Sequence, residues 1–83
     1  MPKFIDHHPM PQLPPEVMAQ TKANAEGGVA DENGVTPLNI HVGHDGTAFC
    51  HTEARDAESV LTSHAAMGVT LDPSQITEVD SLV

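Results

Sequence analysis

The side chains of this sequence best suited to chemistry are six histidines (His7, His8, His41, His44, His51 and His64) and one thiol, Cys50. Imidazole suits zinc, copper, nickel and iron, and a single thiolate moves the preference towards the softer of these ions. Histidine is enriched well above an average composition. No fixed-spacing signature accompanies it. There is no HExxH, no paired CxxC and no EF-hand loop, and the acids do not fall at the spacings of a calcium or magnesium site. The grouping, rather than a motif, carries the metal reading. An enzymatic reading uses the same residues: Cys50 and His41 as nucleophile and base with Asp6 orienting a histidine, or histidine acid–base chemistry in a small dimeric barrel. No oxyanion-hole loop accompanies either. Each residue also has an ordinary role open to it. A histidine on an apolar stripe is often satisfied in the core, and a strand cysteine often acts as a small buried hydrophobe.

These side chains must be positioned by strands and helices, and proline and glycine mark where those begin and end. Residues 3–8 (Lys-Phe-Ile-Asp-His-His) read as a first strand stopped by Pro9. Phe4, Asp6 and His8 share one side of it; Ile5 and His7 share the other. Residues 9–15 hold four prolines and cannot form regular structure. Pro14-Pro15-Glu16 opens a helix that Gly27-Gly28 closes. Residues 29–36 read as loop and 37–42 as a second strand, with Leu38, Ile40 and Val42 on one face and Asn39 and His41 on the other. Residues 47–53 form the third strand. Asp56 caps a second helix whose inward stripe is Ala57, Val60, Leu61, His64, Ala65 and Gly68. Residues 76–83 form the last strand. The order βαββαβ predicts an α+β, ferredoxin-like fold: a four-stranded antiparallel sheet with two helices on one face.

Asp45-Gly46 is a strong two-residue hairpin signal. A turn there predicts that His44 opposes Thr47, Val42 opposes Phe49 and His41 opposes Cys50. Directly opposed side chains have Cβ atoms about 4.5–5.5 Å apart, close enough to share one ion. The first strand neighbours the third in this fold, so Asp6 or His8 can approach Cys50. His64 reaches the sheet from the second helix. His44 and His51 are expected to face elsewhere.

Eighty-three residues make one domain, 1–83, and its core material is light: Phe4 and Phe49 are the only aromatic side chains other than histidine. Such a core needs a staple, and with one cysteine an internal disulfide is excluded. A metal and a second copy of the chain remain, and a homodimer formed through the uncovered sheet face is expected. The formal charge of −9 argues against nucleic acid and membrane surfaces as partners and attracts cations. No apolar run approaches the ~20 residues of a membrane span, no secretory signal is visible, and a lone thiol fits the cytoplasm.

Several short segments resemble the small bacterial nickel-binding proteins of ferredoxin-like fold. They are Phe4-Ile5-Asp6 followed by His7-His8, Thr47-Ala48-Phe49-Cys50, Asp56-Ala57-Glu58-Ser59-Val60 leading to His64-Ala65-Ala66-Met67-Gly68, and Ile76-Thr77-Glu78-Val79. The likeness is strongest from Thr47 to Gly68. The resemblance implies a dimeric α+β barrel that binds nickel or a similar divalent ion, and it points to Asp6, His8, Cys50 and His64. His41 is added by the hairpin geometry. The proline-rich stretch 9–15 and a lengthened loop at 27–36 depart from the family pattern. The expectation is a cytoplasmic homodimer that binds nickel, or else zinc or copper, for storage, buffering or sensing. The alternatives are a small acid–base enzyme and a metal-free interaction module.

Overall fold

A computed structural model describes residues 1–82. Its elements fall where the chain's punctuation puts them: β1 (Lys3–Pro9), α1 (Pro15–Gly27), β2 (Thr36–Val42), β3 (Thr47–Glu53), α2 (Ala57–Ala66), a 3-10 turn (Pro73–Gln75) and β4 (Ile76–Val79). Pro14 precedes α1 and its carbonyl accepts from the Val17 and Met18 amides. Gly28, at φ 65°, ends the helix in the left-handed region that a side chain disfavours. Asp56 caps α2 by accepting from the Ser59 amide at 2.8 Å. The last strand is shorter than the predicted 76–83: pairing stops at Val79, and Val83 lies outside the described residues. Among the described residues, no helix is long and apolar enough to cross a membrane.

The sheet runs β2-β3-β1-β4, with each neighbouring pair antiparallel. With the element order βαββαβ, this is the predicted ferredoxin-like architecture. Pairing across β1 and β3 sets Asp6 opposite Cys50 and His8 opposite Ala48. The small core joins Phe4, Val35, Ala54 and Val60, flanked by Ala57 and Ile76. On α2 the buried face is Val60, Ser63 and His64, whereas Ala65 of the predicted stripe is exposed. Ser63 is turned inward because its hydroxyl donates to the Asp31 carboxylate. Asp31 in turn ties down its own loop by accepting from the Asn33 and Val35 amides. None of α1 is fully buried; it lies over the sheet without sealing it.

The β2–β3 hairpin differs from the predicted register. The Gly43 amide donates to the Thr47 carbonyl at 2.7 Å and the Gly46 amide to the Gly43 carbonyl at 2.9 Å. The loop is therefore His44-Asp45-Gly46, a three-residue turn that ends on Gly46 at φ 87°. One extra loop residue slides β2 by one position, and a one-residue slip exchanges its faces. Ile40 now opposes Cys50, Val42 opposes Ala48, and His41 opposes Phe49. A further irregularity falls between Pro37 and Asn39, so Leu38 has no partner on β3.

Candidate metal centre

The side of the sheet under the helices carries the candidate site. Alternation along β1 places Asp6 and His8 there together with Phe4, which anchors the strand in the core. Alternation along β3 adds Cys50 between Ala48 and Thr52. One turn after Val60, α2 lowers His64 onto them. All four side chains are buried: Asp6 is 1% exposed, His64 4%, His8 6% and Cys50 8%. One donor atom from each lies within 4.8 Å of the other three, which is the spacing of ligands around a single ion.

Both rings are oriented by the backbone. His64 Nδ1 sits 2.8 Å from the Val60 carbonyl, and His8 Nδ1 sits 2.8 Å from the Pro9 carbonyl. A carbonyl only accepts, so each Nδ1 carries a hydrogen, and in the neutral ring each Nε2 has a free lone pair. Those two Nε2 atoms face the same place. His64 Nε2 is 3.1 Å and His8 Nε2 3.5 Å from Asp6 Oδ1, and Cys50 Sγ is 3.7 Å from His8 Nε2. The rings stand edge to face, with centroids 5.1 Å apart. Fixing a metal-binding imidazole through its other nitrogen is the usual second layer of a metal site.

The charges in this cluster are unbalanced. Among the described residues neither Asp6 oxygen has a hydrogen-bond donor, although both are out of reach of solvent. The two ring nitrogens pair with its Oδ1 by charge and proximity, at 3.1 and 3.5 Å. A buried carboxylate without donors is costly and calls for a cation. His64 supplies part of one. Burial opposes charge on its ring, but the Asp6 carboxylate, the Val60 carbonyl and the more distant Asp31 charge outweigh it and hold its pKa above the usual 6.5. Burial and the Asp6 charge push the Cys50 thiol the other way, up to about 12, so without a metal it is a neutral thiol. A divalent ion among these groups would meet all three needs at once: it neutralises Asp6, displaces the Cys50 proton and takes both Nε2 lone pairs.

Of the five residues expected at the site, the structure gathers Asp6, His8, Cys50 and His64. It sends His41 to the opposite face, where His41 opposes Phe49 and is exposed. The correction follows from the three-residue hairpin loop. His7 and His51 share that outer face, as expected for His51, and His44 is exposed in the loop. Sequence reasoning missed Asp31 and Ser63, which join the loop to α2 one residue from His64. The Asp31-x-Asn33-Gly34 turn chemistry was its only signal. The two carbonyls that orient the rings have no sequence signal at all. No family model, curated protein or solved structure matches the chain.

Proposed function

We propose that this protein binds one divalent transition-metal ion per chain through His8 Nε2, His64 Nε2, Cys50 Sγ and an Asp6 oxygen. The observation that carries the reading is the pair of orphaned Asp6 oxygens facing two imidazoles whose free nitrogens converge on them. A structural core would bury apolar groups there at less cost. Two nitrogens, one sulfur and one carboxylate oxygen suit nickel, zinc and copper and not calcium or magnesium. Nickel is the ion we propose, on the strength of the resemblance in the β1, β3, α2 and β4 segments. A role in storage, buffering or sensing goes with a chain whose acidic surface collects cations.

Calorimetric titration of metal-free protein with nickel, zinc and copper tests this. The expected result is one ion per chain, with nickel bound well below micromolar. A Cys50→Ala/His64→Ala double variant loses more than about a hundredfold in affinity, since outer-layer partners alone are worth 10–100-fold. Binding no tighter than high micromolar, or the same affinity in the double variant, would overturn the reading.

We also propose that two copies pair through the outer sheet face. Phe49 stands 43% exposed there between His7 and His41, and the acids of the chain are almost absent from this face: Glu53 lies directly opposite Lys3 on β1. Elsewhere two chains of charge −9 repel each other. Sedimentation of wild type against Phe49→Lys reads this directly. A monomeric wild type sinks it, and so does a dimeric variant.

A further inference from the structure

The cluster is the floor of a groove. Between α1 and the sheet lies an open space of about 380 Å³ whose lining includes His8, Cys50 and His64. The space is within the size range of small-molecule sites. Asp6 is not part of this lining; it sits behind the other three. An ion held by the four donors would therefore have Asp6 at its back and one side turned towards the groove.

The walls are mostly apolar, with Thr21 and Lys22 of α1 as their polar members. Four of the chain's large exposed hydrophobic side chains, Met18, Ile40, Val42 and Met67, line this one groove. Isolated apolar residues at a surface need no explanation, but four gathered above a polar floor do. Ile40 and Val42 are there because of the hairpin register, which turned them inward and His41 outward. Met18 comes from α1, which lies above them. An apolar cleft with a few convergent polar groups at its base is the usual form of a small-ligand site.

Resting on the metal reading above, we propose that the groove binds the apolar body of a small organic molecule whose single neutral nitrogen donor takes the groove-facing position on the metal. The donor is neutral because the ion itself is already balanced: a dication faces the Asp6 carboxylate and the Cys50 thiolate, and Lys22 on α1 is the one charged side chain on the groove wall. A nitrogen donor matches the preference of the same metals for imidazole. The groove then gives this protein a ligand as well as a metal.

The test uses imidazole and 4-phenylimidazole on nickel-loaded protein, after metal binding itself has been measured. The ligand-field bands of the nickel should shift with both. The phenyl compound should bind at least about tenfold more tightly, as burying an aromatic ring in the groove requires. A Met18→Gln/Val42→Gln double variant, both positions being partly exposed and away from the donors, should keep its nickel affinity and lose most of that preference. Three results would overturn the proposal: equal affinities for the two compounds, a preference that survives in the double variant, or equally tight binding of 4-phenylimidazole to metal-free protein. Failure to load nickel, zinc or copper in the first step would overturn the metal reading and this inference together; a failure confined to the second step leaves the metal reading standing.

Discussion

Replacing Asp6 by asparagine separates a metal ligand from a structural partner. In metal-free protein the Asp6 carboxylate is buried, accepts no hydrogen bond, and has His64 as its nearest cationic neighbour. The pKa of His64 is raised, so the pairing contributes fully below pH 6.5 and is lost as pH rises through the higher folded-state value. Above that value both groups are buried with one charge uncompensated. Asp6→Asn removes the charge and keeps the shape. An unsatisfied buried group costs about 1–3 kcal/mol, more when charged, so metal-free Asp6→Asn should be at least as stable as wild type at alkaline pH. The difference should grow with pH from 6.5 upwards, because only the wild type loses the His64 contribution. For a domain of this size each kcal/mol moves Tm by about 4–8 °C. Thermal unfolding in the presence of a chelator, from pH 6 to pH 9, measures it. The same substitution should lower nickel affinity by more than about tenfold, since a neutral amide replaces a charged ligand. A variant that is less stable than wild type across the whole pH range, and binds nickel as tightly, would show that the carboxylate holds the fold and not an ion.

Metal uptake should release protons. Cys50 is protonated up to a pKa of about 12 and His64 holds its proton above pH 6.5, so roughly one to two protons should leave per ion near neutrality. Calorimetry in two buffers of different ionisation enthalpy counts them, and no release at pH 7 would exclude Cys50 as a ligand. His41→Ala should change nickel affinity by less than about twofold, because the residue lies across the sheet from the donors. A large loss would mean that the hairpin pairs in the other register. Gly46→Ala should destabilise the protein by about 1 kcal/mol or more, read by denaturant unfolding, since φ 87° strains any side chain although the space beside it is empty.

Much of the fold was written in its interruptions. Gly27-Gly28 closed α1, Asp56 opened α2, and β3 spans the residues expected of it, because turns and caps are local and act through one or two residues each. Four of the five candidates were legible for a related reason. Strand alternation ties Asp6 to His8 whatever lies around them, and helical spacing ties His64 to Val60. The fifth, His41, depended on a count of loop residues. Asp45-Gly46 serves a two-residue turn and the end of a three-residue one equally well, and the choice rests on a bond between Gly43 and Thr47 that no residue type announces. The groove was hidden by the same register, and the ring-orienting carbonyls of Val60 and Pro9 belong to a backbone that every sequence shares.

That loop also sets how the protein can change over evolutionary time. Point substitutions in β2 alter one face at a time, but a change that closed the turn on His44 and Thr47 around Asp45-Gly46, and so re-paired His41 with Cys50, would exchange both. Ile40 and Val42 would move to the outer face and add to its apolar surface. Asn39 and His41 would turn beneath α1, beside the donors. One residue of slip would thus turn a four-donor site under an apolar groove into a five-donor site under a polar one, while giving the outer face more to bury. The length of this turn is therefore a switch between two chemistries, set by which pair of residues closes it.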